Sequence, residues 1–187
     1  MGDRKSEILE LATELIQTRG YSAFSYQNIS DRLGIRKASI HHHYPKKEDL
    51  GKAVLENYTD RAKKNLQLVA ETSNDPWQRL DGFFELVRST QQKGDRICCI
   101  GSVHAALSVV PNEIGETANN LAHFILSWLS KVLRDGRKEG NMTFLGEPET
   151  QALAIFCAMQ GALQMDRAES DGILESVIVQ LRNNLSG

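Results

Sequence analysis

The sequence predicts an all-α protein of about nine helices, with a three-helix head at the N-terminus and a larger helical body behind it. Three observations predict this. Apolar residues recur at three- and four-residue spacing through most of the 187-residue chain, and no stretch alternates apolar and polar residues as a half-buried strand would. No Asn-Gly hairpin signal joins two runs. The chain has only four prolines, of which Pro45, Pro76 and Pro111 stand where a helical pattern breaks.

The first helix is expected from about Arg4 to Arg19, with Ile8, Leu11, Ala12, Leu15 and Ile16 on one stripe and Gly20 as the stop. A short second helix spans about Tyr26–Leu33, with Ser25 placed to cap it and Gly34 to end it. A third runs from Arg36 or Lys37 to His43, before Pro45. The fourth covers about Lys47–Ala70, carrying Leu50, Val54, Tyr58, Ala62, Leu66 and Val69 on one side. Asp75 and Pro76 then read as the cap and first residue of a fifth helix reaching Gln92, which buries Trp77, Leu80, Phe83, Phe84 and Val87. Ile97–Val110 is nearly uncharged and is expected as a helix in the middle of a bundle. Three longer segments complete the chain: Asn112–Glu139, Glu147–Ala168 and Gly172–Leu185.

Composition excludes several classes. Apolar residues at 41% suffice for a core. No uninterrupted apolar run approaches the roughly 18 residues of a membrane span, and the charged N-terminus lacks the apolar stretch of a signal peptide. Three cysteines, two of them adjacent, do not make a disulfide framework, so a cytoplasmic protein is expected. No Gly-rich phosphate loop, HExxH, GxSxG or paired-carboxylate motif is present, so neither an enzyme nor a cofactor is expected. The net charge of −2 hides an asymmetry: residues 1–53 carry nine Lys/Arg against seven Asp/Glu, and 31–52 carry six against three plus three histidines. A local positive face on an acidic body is the pattern of a protein that meets phosphates at one end.

The stretch 24–50 shows how such a face is built. Ile29, Leu33, Ile35 and Ile40 supply apolar contacts that lock two short helices across Gly34, and the small Ala38 allows close backbone approach. Arg36, Lys37, Ser39, His41 and His42 are left for the outer side, where their donors and acceptors reach base edges or phosphates in a major groove. Lys46 and Lys47 open the fourth helix, whose free N–H groups also favour a phosphate. His41-His42-His43 invites a metal reading, but successive helical residues point about 100° apart whereas chelation wants i, i+4 spacing, so no metal is expected.

Over these 27 or so residues the sequence resembles the TetR family of one-component regulators. The matching run is Phe24-Ser25-Tyr26-x-x-Ile29-Ser30-x-x-Leu33-Gly34-Ile35-Arg36-x-Ala38-Ser39-Ile40-His41-x-His43-Tyr44-x-Lys46-Lys47-Glu48-x-Leu50. The resemblance implies a helix-turn-helix domain over residues 1–46 and a ligand-binding and dimerisation domain over 47–187. It implies DNA contacts from Gln27, Lys37, Ser39, His41 and His42, with Lys47 clamping a phosphate. Two positions depart from the family pattern. Arg36 replaces the usual serine cap, at a cost of about 0.5–2 kcal/mol, and His41 replaces the usual tyrosine.

The body reads less sharply. Small residues alternate with large apolar ones between Ala152 and Met165, so Ala154, Ala158, Gly161, Ala162 and Met165, with Val177, Ile178 and Leu181 of the last helix, either pack within one subunit or form a homodimer interface. The resemblance implies the latter, a four-helix junction. It also implies a cavity for a small-molecule inducer, for which Phe83, Phe84, Val87, Phe124, Trp128 and Phe156 are candidate linings. Ser102, His104 and Gln160 are polar groups on apolar helices that either orient a ligand or satisfy local backbone. Ile97-Cys98-Cys99-Ile100-Gly101-Ser102 resembles the start of the sixth helix in one branch of the family, some members of which sense electrophiles or oxidants through a cysteine. The alternative is that Cys98 and Cys99 are small buried apolar residues. Together these features imply a dimeric repressor, released from its operator when a ligand shifts the body to a form whose heads no longer match the groove spacing.

Overall fold

The computed structural model describes residues 4–92, 94, 96–169 and 172–186. Among them the chain forms α1 (Arg4–Arg19), α2 (Tyr26–Leu33), α3 (Lys37–His43), α4 (Lys47–Thr72), α5 (Pro76–Gln91), α6 (Cys99–His104), α7 (Asn112–Lys138), α8 (Pro148–Glu169) and α9 (Ile173–Ser186). The only β-type pairing among the described residues is an isolated bridge between Thr143 and Ser186. The all-α expectation therefore holds, with boundaries mostly within two residues of those read from the sequence.

The caps explain why the boundaries were legible. Ser25 accepts from the Asn28 N–H at 3.3 Å, and the Asn28 side chain accepts from the Ser25 N–H at 2.9 Å, a reciprocal box in which asparagine takes the place usually held by Glu or Gln. Gly34 ends α2 in the left-handed region at φ 62°, where a side chain would be strained. Asp75 caps α5 through the Trp77 N–H at 2.8 Å, ahead of Pro76.

The sixth helix is the exception. It spans Cys99–His104 rather than Ile97–Val110, because the chain tightens after His104 into turns closed by Ala106 N–H to the Val103 carbonyl and Val109 N–H to the Ala106 carbonyl. Cys99, Ile100, Ser102 and Val103 are buried as expected, but Leu107 and Val109 in the turns are 49% and 64% exposed. The uncharged segment is helical only in its first half, and of the turns after it Val110 alone is buried.

The chain divides into two compact units, Met1–Arg61 with Cys98–Leu121, and Ala62–Ile97 with Ala122–Gly187. In the first, α1 to α3 are packed with the first part of α4, all of α6 and the start of α7. Ile8, Leu15, Ile16, Phe24, Ile29, Ile40, Leu50 and Leu55 are fully buried here. The Ser102 hydroxyl of α6 donates to the Ile16 carbonyl of α1 at 2.8 Å, and Lys52 of α4 pairs with Glu113 of α7 at 2.8 Å. In the second unit α8 and α9 pack on each other and α5 on α8. The unit is laced by Arg88 to Glu175 at 2.6 Å and by Arg182 to Asp81, with the Arg182 guanidinium over the Trp77 ring at 4.8 Å.

Gly51 marks the tightest packing in the first unit. A Cβ built there would lie 2.6 Å from Tyr21 Cε2 and 2.8 Å from Ile114 Cδ1. We expect Gly51→Ala to destabilise the protein by about 1–3 kcal/mol through overpacking, despite alanine's better helix propensity. Urea denaturation checks this; a stabilised variant would contradict the packing argument.

Candidate nucleic-acid interface

A helix of seven residues does not persist alone in water, so α3 depends on what it is packed against. Ile40 is wholly buried and is the one buried residue of α3. Residues two positions away on a helix point about 200° from it, which turns Ala38 and His42 opposite Ile40, with Ser39 and His41 about 100° to either side. All four are exposed, as are Arg36 and Lys37. The small Ala38 thus stands in the middle of the uncovered side.

The turn before α3 is closed by side chain and backbone together. The Ser30 hydroxyl donates to the Ile35 carbonyl at 2.6 Å, and the Ile35 N–H to the Ser30 carbonyl at 3.2 Å. Arg36 occupies the cap position of α3 and makes no side-chain capping bond, as its chemistry dictates. The far end is held by Tyr26, whose hydroxyl donates to the Tyr44 carbonyl at 2.7 Å. Burial, then the Asp49 charge, pushes the Tyr26 phenol up to about 12, so it remains a donor at any physiological pH. Its ring stacks edge-on against His41 at 4.8 Å, and His41 Nδ1 lies 3.1 Å from the Pro45 carbonyl.

Of the remaining residues expected at this face, Gln27 is exposed on α2 and hydrogen-bonds Asp31 at 2.5 Å. Lys46 is exposed, and its backbone N–H is taken by the Asp49 carboxylate at 2.9 Å. Lys47 is half-buried: its ammonium donates to the Ser22 carbonyl at 3.2 Å and sits over the Phe24 and Tyr21 rings at 4.6 and 5.0 Å. That burial lowers its pKa below the ordinary lysine value. Lys47 is therefore held in place before any DNA arrives, with donors to spare. The pattern around it was readable only as a charge at a helix start; the aromatic seat beneath it was not.

Residues expected at a ligand site fall into two groups. Phe83, Phe84 and Phe156 are buried and Val87 and Trp128 half-buried in the second unit, where Phe83 meets Trp128 at 6.3 Å and Phe84 at 6.0 Å. Gln160 is half-buried in the same unit, whereas Phe124 is exposed with the Lys63 ammonium over its ring at 5.4 Å. Cys98, Ser102 and His104 belong to the first unit. Ser102 spends its hydroxyl proton on α1, which gives it a structural task. His104 Nε2 is buried without a hydrogen-bond partner. Cys98 is half-buried with its sulfur 3.5 Å from the Tyr58 hydroxyl, and Cys99 is fully buried.

Of the residues expected at a dimer interface, Ala154, Gly161 and Met165 are exposed and Ala158 and Val177 half-buried. Ala162, Ile178 and Leu181 are turned into the second unit's own core, because α8 and α9 use that side to pack on each other. Leu153, Cys157 and Val179, on the same two helices, are exposed. Alternation of small and large residues marks both sides of a helix alike.

An uncovered, basic, donor-rich short helix set by a glycine turn defines a helix-turn-helix DNA-binding regulator. Comparison with known proteins agrees. The family model "Bacterial regulatory proteins, tetR family" matches residues 8–54. The HTH-type transcriptional repressor NemR of Escherichia coli K12 is 24% identical over 97% of this chain and 93% of its own. A TetR transcriptional regulator from Legionella pneumophila superposes with TM-score 0.89 at 28% identity, covering 99% of this chain and 98% of that one. A TetR-family regulator from Agrobacterium tumefaciens reaches 0.92 at 25% identity over 98% and 97%. Residues 8–54 thus match the tetR-family model, and over nearly its whole length the chain is similar to TetR-family transcriptional regulators.

Tyr26→Phe should cost about 1–2 kcal/mol of stability by leaving the buried Tyr44 carbonyl without its donor. Thermal or urea unfolding measures it, and an unchanged midpoint would remove Tyr26 as the support of α3.

Proposed function

We propose that the protein is a homodimeric repressor that holds an operator through two copies of α3 and releases it when a small molecule binds its body. The observation that carries the reading is the two-sidedness of α3: Ile40 anchors one side, while Arg36, Lys37, Ser39, His41 and His42 stand uncovered on the rest. We assign residues 1–46 to DNA binding and 47–187 to ligand binding and dimerisation. The base-reading side chains come from α3 and Gln27, while Lys46 and Lys47 contact phosphate.

A single short helix offers few base contacts, and two-fold dimers overcome this by presenting two recognition helices about 34–36 Å apart. The outer sides of α8 and α9 support such pairing. Ala154, Cys157, Gly161 and Gln164 on α8, and Ser176, Val179 and Asn183 on α9, are exposed at alternating three- and four-residue spacing, the period of a helix–helix seam. The small Ala154, Cys157, Gly161 and Ser176 suit close approach, and Leu153, Met165 and Val179 are each about half exposed at 49%, 51% and 55%. For the inducer we assign Phe83, Phe84, Trp128 and Phe156 of the second unit as apolar contacts.

A second reading keeps the fold but makes the signal covalent. The half-exposed Cys98 beside Tyr58 favours Cys98 over the buried Cys99 as the reacting thiol. N-ethylmaleimide treatment of Cys98→Ser and Cys99→Ser variants, read by DNA binding, tests it: loss of response in the first alone supports the reading, and a normal response in both sinks it.

Three further outcomes test the main proposal. Electrophoretic mobility shift on the promoter region of its own gene should show sequence preference and steep salt dependence; absence of both would refute DNA recognition by α3. Lys47→Ala should weaken specific and random DNA alike and lower the log–log salt slope by about 1 per half-site, whereas a loss confined to specific DNA would contradict a phosphate role. Gly161→Arg places a bulky charge in the seam and should yield monomers in sedimentation velocity, with loss of tight operator binding; a persistent dimer would move the interface elsewhere.

A further inference from the structure

At the uncovered side of α3, His41 differs from its neighbours in being fixed inside the protein. Its Nδ1 is 3.1 Å from the Pro45 carbonyl oxygen, and its ring lies edge-on to Tyr26, 4.8 Å between centroids. Tyr26 is in turn anchored through its hydroxyl on the Tyr44 carbonyl at 2.7 Å. A carbonyl oxygen only accepts, so the short contact places the proton on Nδ1. In the neutral imidazole the second nitrogen, Nε2, then carries a lone pair and no hydrogen. His41 is exposed and sits beside the Ala38–His42 line, opposite the buried Ile40.

An acceptor held in that place selects among the groups of a DNA groove. Phosphate oxygens are acceptors and repel it. In the major groove, guanine N7 and O6 and thymine O4 are acceptors too. Only the amino groups of adenine (N6) and cytosine (N4) donate there. Lys37, one turn before it, carries donors alone, so it pairs with the complementary set: phosphate, guanine N7 and O6, or thymine O4.

We propose that His41 is a specificity-determining residue that reads the exocyclic amino group of an adenine or cytosine in each half-site through Nε2, with its tautomer set by the Pro45 carbonyl. This deepens the reading of α3 as the groove helix and rests on it. The tyrosine usual at this position in the family has a hydroxyl that both donates and accepts, so the histidine narrows the choice of base.

The test uses the full-length protein at about pH 8, above the range in which histidines ordinarily titrate. Binding sites are selected from a random-sequence DNA pool with the wild type, His41→Ala and His41→Lys. The wild type is expected to fix an adenine or cytosine at one position per half-site that becomes variable with His41→Ala. His41→Lys, which offers only donors, is expected to move that position toward guanine. In the selected site, replacing the base by its analogue without the amino group (purine for adenine, 2-pyrimidinone for cytosine) should weaken wild-type binding about tenfold and leave His41→Ala unaffected. Retained preference in His41→Ala, or an analogue that costs both proteins equally, overturns the proposal while leaving α3 as the reader. Equal weakening of specific and random DNA by His41→Ala assigns His41 to phosphate and overturns it likewise. A wild type that selects no sequence at all overturns both this inference and the reading beneath it.

Discussion

Helix α3 exists because Ile40 is buried. Seven residues cannot sustain a helix against the entropy of the free chain, and α3 gains no help from its cap, where Arg36 has no acceptor to offer. What remains is one side chain seated in a core built by Ile8, Phe24, Ile29 and Leu50, plus the hydrogen bonds that close both ends: Ser30 with Ile35 before the helix, and Tyr26 with Tyr44 after it. This arrangement leaves every other direction of α3 free. The same economy explains why basic and hydrogen-bonding residues crowd into a segment of a chain that is acidic overall.

The second consequence concerns how the head is attached. Tyr21 is a shared support: its ring lies under the Lys47 ammonium and in the space left by Gly51. Gly51 also faces Ile114 at the start of α7, and Ser102 of α6 reaches the last turn of α1. Helices α1 to α3, the first half of α4, α6 and the start of α7 therefore form one packed unit. A shift of α6 acts on α1 directly, and a shift of the start of α7 acts on α4. That is the physical condition for a signal from these helices to bias the head between two states.

Much of this was legible in the chain because it rests on local chemistry. Ser25, Gly34, Asp75 and Pro76 act on backbone groups one to four residues away, so their effect does not depend on the rest of the fold. The α6 region was misread because an uncharged run has no periodicity to say where packing stops. Its helical half is the half that meets α1. The inward positions Ala162, Ile178 and Leu181 and the outward Leu153, Cys157 and Val179 were not separable, because two packed helices with small and apolar residues on every side look alike from each direction.

The sequence by itself determined the all-α class, the helix-turn-helix with its turn at Gly34, and the local basic face, since caps, periodicity and charge are properties of near neighbours. Tertiary structure alone decided which side chains are spent internally and which are free. It seats Lys47 on two aromatic rings, commits Ser102 to α1, and holds His41 against the Pro45 carbonyl so that its two nitrogens differ. Those are contacts whose partners or geometry only the folded chain supplies, and they separate a residue that packs from one that is left uncovered.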